Sequence, residues 1–242
     1  MDRMIYLSMS GADATMQLQD SLANNLANVS TVGFRAQLHA LRAAPVEGSG
    51  ASTRVYTLET TPGYDPTPGV VTATGRNLDV AVKGDSWLTV QAFDGTEAYT
   101  RAGSFDVAAD GTLVNRSGLQ VLGHGGPIQV PPNSEVSIAA DGSISARTAS
   151  GATSVVGKLK VVTPEVPLQR GTDGLFRSFE GDSLPADDRA RVQDGALEGS
   201  NVSAVESMVA MIAAARQFEA QIKMIQTAEA DAKAAEQLLS AT

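Results

Sequence analysis

The sequence predicts an α+β protein in which long N- and C-terminal helices pair as a coiled-coil-like assembly domain, with an all-β domain of short antiparallel strands inserted between them. Three observations predict this. From Ser203 onward there is no Gly and no Pro, and apolar residues recur at steps of three and four. The N-terminal stretch repeats that spacing more briefly. Between the two, the period changes to two and Asp-Gly pairs punctuate the chain.

The N-terminal helix is read from Ile5, Met9, Ala12, Met16, Leu22 and Leu26, with Gln19 as the one polar intruder on the stripe. It should stop near Asn28, because Asn tolerates the left-handed conformation found just past helix ends. Ser30, Thr31 and Gly33 then read as turn chemistry, with Gly33 as a backbone bend. Arg3, the apolar run to Met9 and Ala12-Asp13-Ala14 imitate a signal peptide. The imitation is poor, since Asp2 offsets the charge and Ser8 breaks a short run.

Phe34, Leu38 and Leu41 keep helical spacing, so the helical part is taken as 1–42. Residues 43–76 are rich in Gly, Pro, Ser and Thr and read as an extended connector, with at most short strands around Arg54–Leu58 and Val70–Ala73. The β domain is assigned to 77–197. Its strands are read at Leu78–Val82, Trp87–Val90, Ala98–Arg101, Gly111–Val114, Glu135–Ile138 and Val155–Val162. Asp94-Gly95, Asp110-Gly111 and Asp141-Gly142 supply hairpin turns, and Gly123 to Gly126 another. Gly171 to Gly199 returns to loop composition, with an acidic patch from Glu180 to Asp188.

The C-terminal helical part is 198–242. Ser203 and Glu206 stand in the relation of a capping box. Val205, Met208, Ile212, Ala215, Phe218, Ile222, Ile225, Ala228, Ala232, Ala235 and Leu239 then form one stripe on a helix about 55 Å long. Burying its six large side chains contributes about 1.5–3 kcal/mol each, against roughly 1–2 kcal/mol of backbone ordering per residue. Such a helix needs a partner helix, and polar connectors at both ends favour self-association over a purely internal core.

The formal net charge of −9 with only 18 basic residues argues against nucleic acid. The chain has no cysteine, so disulfides and thiolate metal sites are unavailable. No run is long enough to span a membrane. His39 and His124 have no ligand spacing around them, and no G-x-S-x-G elbow is present. The Asp-Gly pairs lack the order of calcium loops. No catalytic, metal or cofactor residues are assigned, and no enzyme activity or cofactor is expected. Two remote readings stay open: a hydrolase using two of Asp79, Asp85, Asp94 and Asp106, and a secreted β-domain binding module.

Ser21 to Arg35 (SLANNLANVSTVGFR) resembles the N-terminal signature of the bacterial flagellar rod and hook proteins. Leu197 to Val202 (LEGSNV) with the helix behind it resembles their C-terminal signature. Leu78 to Asp85 (LDVAVKGD) and Tyr99 to Phe105 (YTRAGSF) resemble the β domain these proteins share. Within the family, the chain length, Phe34 to Ala43 and Pro45 to Gly48 are most similar to the proximal-rod members, with distal-rod members second. The resemblance implies a structural subunit of the flagellar basal body, without a cleaved signal peptide, in a rod that spans the periplasm as drive shaft and export-channel wall. It implies as partners copies of itself, the rod proteins FlgB, FlgC, FlgG and FliE, and the flagellar type III export apparatus. The expected assembly interface is Ile5, Met9, Ala12, Met16, Leu22, Asn24, Asn25, Leu26, Asn28, Val205, Met208, Ile212, Ala215, Phe218, Ile222 and Ile225.

Overall fold

The computed structural model describes residues 2–45, 55–148 and 151–240. It divides into two compact units, one built from Met1–Val29, Ala36–Asp65 and Val202–Thr242, the other from Ser30–Arg35 and Pro66–Asn201.

The first unit contains α1 (Asp2–Ala27) and α2 (Ala204–Ser240), which pack on each other, and a hairpin of β1 (Gln37–Pro45) with β2 (Val55–Tyr64). Ser203 caps α2, its Oγ accepting the Glu206 N–H at 3.4 Å. α1 ends without a left-handed residue: among the described residues only Asn133 is a non-glycine with positive φ. Asn28 instead donates its backbone N–H to Asn24 and Asn25 and its side-chain amide to the Asn24 carbonyl at 2.8 Å. Asn25, buried, donates to the Gln37 carbonyl at 2.9 Å and accepts the Gln37 N–H at 2.8 Å. One amide therefore satisfies both backbone groups at the start of β1, tying the hairpin to α1.

The hairpin corrects the sequence reading. Phe34 to Leu41 carries helical spacing, yet Gln37 to Pro45 is strand, paired with residues placed in an extended connector. Composition misleads here because a two-stranded ribbon needs no inward alternation when it lies against a helix. Val46, Glu47, Gly48 and Arg54 lie outside the described residues.

The second unit is all-β. Its main sheet has nine strands, in the order β15 (Gln169–Arg170), β16 (Phe176–Arg177), β6 (Glu97–Thr100), β5 (Trp87–Gln91), β9 (Gln120–Gly123), β8 (Leu113–Asn115) and β7 (Phe105–Val107). β10 (Gly126–Pro127) pairs with β9 and β14 (Val161–Val162) with β5. β11 (Ser134–Ile138), β12 (Ser143–Thr148) and β13 (Thr153–Lys158) form a second antiparallel sheet. Two short pairs join distant segments: β3 (Val71–Ala73) with β18 (Ala196–Glu198), and β4 (Val80–Val82) with β17 (Val192–Asp194). The segment read as loop, Gly171 to Gly199, thus supplies three short strands. Such short strands are held by tertiary pairing, and their composition carries little strand propensity of its own.

The core gathers Val80, Leu88, Phe105, Leu113, Val121, Ile144, Leu159 and Val192. Tight turns close the strands. Gly95, Gly111 and Gly142 have φ of 82°, 85° and 83°, the left-handed position that follows a type I turn in three-residue hairpin loops. The preceding Asp94, Asp110 and Asp141 accept the backbone N–H two residues on, from Thr96, Thr112 and Ser143, at 2.9, 3.0 and 3.0 Å. The hydroxyl of Thr96 also donates to Asp94, and those bonds hold its carboxyl below the ordinary 3.8. The same donors, backbone N–H first, lower Asp110 and Asp141.

The segments singled out by resemblance meet at Glu198, which is 1% exposed. Its Oε2 accepts from Arg101 Nε at 2.8 Å and lies 2.8 Å from Arg101 Nη2. Its Oε1 accepts the Gly69 N–H at 3.0 Å and stands 2.6 Å from Arg35 Nη1, an ion pair without hydrogen-bond alignment. The Glu198 carbonyl accepts the Gly33 N–H at 2.7 Å. Arg101 Nη1 donates to the carbonyls of Gly84, at 2.7 Å, and of Ser86. Burial pushes the Arg101 guanidinium down and Glu198 opposes the shift; a guanidinium remains charged either way. Gly33 has φ of 69°, and a Cβ there would meet the Arg101 carbonyl carbon at 2.3 Å. A bend and a close approach coincide at one residue.

Two outcomes follow for stability. Glu198→Ala leaves two buried guanidiniums without their carboxylate, so unfolding in urea, read from the single Trp87, should lose about 3–5 kcal/mol; a change below about 1 kcal/mol contradicts the role given to Glu198. The turn carboxylates have lowered folded values, so their stabilisation is complete above the ordinary 3.8 and is lost as pH falls through the lowered values. The triple variant Asp94→Asn, Asp110→Asn, Asp141→Asn should therefore lose less stability between pH 5 and pH 3 than the parent. Parallel curves would contradict this.

Candidate assembly surface

The side chains that the helix pair of the first unit buries fully are small or polar, and many of its large apolar ones are exposed. On α1, Ser8, Ala12, Ala14, Thr15, Ser21 and Asn25 are buried. On α2, Ala204, Ser207, Met211, Ala214, Phe218, Gln221, Ile225 and Ala228 are buried or half-buried, at alternating steps of three and four. This is a heptad-like seam lined largely by small residues. They permit close approach: a Cβ on Gly11 would meet the Gln221 side chain at 2.9 Å. Thr15 returns its hydroxyl to the Gly11 carbonyl at 2.7 Å, so it is satisfied within its own helix.

The inward stripe of α2 is therefore rotated from the one read in the sequence. Ala215, Phe218 and Ile225 are half-buried, whereas Val205, Met208, Ile212 and Ile222 are exposed. On α1, Ile5, Leu22 and Leu26 are half-buried, Ala12 is buried, and Met9 and Met16 are exposed. Asn24 is exposed, Asn28 half-buried, and Asn25 is occupied inside the subunit by Gln37. Tyr6 and Val209, which the apolar period did not select, join the exposed set. Tyr6, Met9, Met16, Val205, Met208, Val209 and Ile212 are each more than half exposed. An exposed concentration of large apolar side chains on a helix pair marks an interaction surface.

Three of the four carboxylates weighed for catalysis, Asp79, Asp94 and Asp106, are engaged in the β unit. Asp79 is buried and accepts from Thr74 at 2.8 Å and from Ser104 and Arg76 at 3.2 Å. Arg76 also pairs with Asp106. Asp94 serves its turn and lies 3.6 Å from Arg177. No helix among the described residues is long and apolar enough to cross a membrane.

Three family descriptions match consecutive parts of the chain: the flagella basal body rod protein over residues 5–35, the flagellar hook protein FlgE/F/G D1 domain over 81–146, and the flagellar basal body rod FlgEFG protein C-terminal over 193–238. The flagellar basal-body rod proteins FlgF of Salmonella typhimurium and of Escherichia coli are each 48% identical over 250 residues, covering 99% of both chains. FlgG of Bacillus subtilis is 32% identical over 254 residues, covering 94% of this chain and 95% of its own. The N-terminal match contains Arg35 and the C-terminal match contains Glu198, the two ends of the buried ion pair. With full-length identity of 48% to two FlgF proteins and three successive matches along the sequence, the chain belongs to the flagellar basal-body rod protein family.

Proposed function

We propose that this chain is a structural subunit of the proximal rod, polymerising through the outward faces of α1 and α2. The observation that carries the proposal is the large apolar set left exposed on the helix pair, in a family of rod proteins. A neighbouring subunit that covers those faces removes Met9, Met16, Met208 and Ile212 from water, each contributing about 1.5–3 kcal/mol when fully buried. The assembly is heterologous and propagates along a helix instead of closing into a dimer.

In this reading the chain sits in the rod that crosses the periplasm, forms part of the drive shaft and of the export-channel wall, and contacts copies of itself with FlgB, FlgC, FlgG and FliE. It reaches that position through the flagellar type III export apparatus without a cleaved signal peptide, to which the lack of cysteine and the weak N-terminal signal features lend support. Its role is mechanical, with no reaction assigned.

Ile212→Asp tests the packing assignment. Ile212 is exposed in the subunit, so the substitution should change the stability of the free chain by less than about 0.5 kcal/mol, while burying a carboxylate against a neighbour blocks assembly. Basal bodies purified from such cells should lack the chain and end as stubs without distal rod or hook by electron microscopy. Rods of normal length built from the variant would refute the assignment.

A further inference from the structure

Three arginines of the β unit stand together in a chain that is acidic overall. Arg35, Arg101 and Arg170 cluster where Glu198 is the one carboxylate with which any of them forms an ion pair among the described residues. The Arg35 Nε is buried with no acceptor. Arg170, at the end of β15, lies with its guanidinium 4.6 Å over the Phe34 ring and donates one N–H to the Arg35 carbonyl at 3.3 Å. It is half-buried and, among the described residues, pairs with no carboxylate. Its ring-stacked face is fixed, which leaves the edge of the guanidinium fork, with its remaining donors, as the part that can receive an acceptor. Burial alone pushes this guanidinium down, the direction expected of a cation that lacks its counterion.

The complementary feature stands on the same unit. Phe179 is 78% exposed, and Glu180 and Asp182 beside it are exposed and pair with nothing among the described residues. The other acids of that patch are occupied: Asp187 accepts from Thr163 at 2.7 Å and Asp188 from Lys158 at 2.8 Å. Within one copy no ion pair joins Arg170 to Glu180 or Asp182. A half-buried cation without an anion and exposed anions without a cation, unpaired within one copy, are complementary in charge between copies.

We propose that Arg170 is the docking point for the Phe179–Asp182 loop of a second copy of this chain, a carboxylate of that loop engaging the guanidinium that stacks on Phe34. The contact rests on the chain assembling into the rod and is separate from the helix faces. Donor and acceptor differ, so it is head-to-tail and repeats without closing. Arg-carboxylate pairing of this kind fixes register, which a purely apolar helix seam leaves to slide.

Because the chain has no cysteine, the contact can be tested by crosslinking. Cells co-express two differently tagged chains, one with Gln169→Cys, which leaves Arg170 in place, and one with Asp182→Cys, which leaves Glu180 in place. Purified basal bodies are treated with a short bismaleimide. The expected result is a mixed dimer carrying both tags. Basal bodies that contain both chains but no mixed dimer overturn the contact and leave the rod reading standing; basal bodies that contain neither chain overturn both. In a second experiment Arg170→Glu should shrink the swimming halo several-fold, and adding Glu180→Arg with Asp182→Arg in the same chain should restore it. Failure of the reversal to restore swimming, or suppressors of Arg170→Glu that map to another rod protein, would exclude the second copy as the partner.

Discussion

Glu198 holds together segments that are far apart in the chain. Its carboxylate is shared by Arg35, which directly follows the N-terminal turn, and by Arg101, from the middle of the β unit. Among the described residues neither guanidinium forms an ion pair with another carboxylate, and Glu198 gains a fourth contact from the Gly69 N–H. A buried ion pair of this sort adds little net stability over an apolar replacement, because desolvation offsets most of the Coulomb gain. What it adds is position: a misplaced strand would leave an unpaired charge inside. The backbone is fitted to the same point. Gly33, Gly69 and Gly103 each lie where a Cβ would strike a carbonyl group of another segment, of Arg101, Gly199 and Val80 respectively. Small residues at these crossings let three chain segments converge closely enough for one carboxylate to reach both arginines.

The helix pair follows a different logic. The fully buried residues of its seam are Ser, Ala, Thr and Asn, with Met211, Phe218 and Ile225 only half-buried, and seven large apolar side chains are more than half exposed. A seam of small residues gains close van der Waals contact but removes little apolar area from water. The pair is thus weakly held on its own, and its stability depends on what covers its exterior. Asn25 and the β1–β2 hairpin add hydrogen-bonded support at the end of α1.

Much of this was legible in the sequence. The three Asp-Gly turns, the Ser203 cap and the main strands from Trp87 to Ile138 follow from local rules, and the structure places them close to where those rules do. The chemistry of the turns is local, so tertiary context has little to override. The inward face of α2 was not legible. Val205, Met208 and Ile212 form the more apolar stripe, and a hydrophobicity count selects it, but the seam runs along Ser207, Met211 and Ala214. Apolar periodicity reports which face of a helix is apolar, without saying whether the same subunit covers it. The β1–β2 hairpin and the strands after Gly171 were missed because their pairing is non-local and their composition is that of loops. Glu198 and Arg35 were visible as members of two motifs; nothing in either motif says that the two side chains meet.

The helices differ in length, 37 residues in α2 against 26 in α1. At about 1.5 Å per residue, α2 is longer by roughly 16 Å, about three turns. A stack of identical subunits can use such an overhang as a tenon, each protruding end seated among helices of the layer beyond. Layers joined in that way are interlocked along the axis and do not merely abut, so a twist applied at one end is carried through overlapping helices.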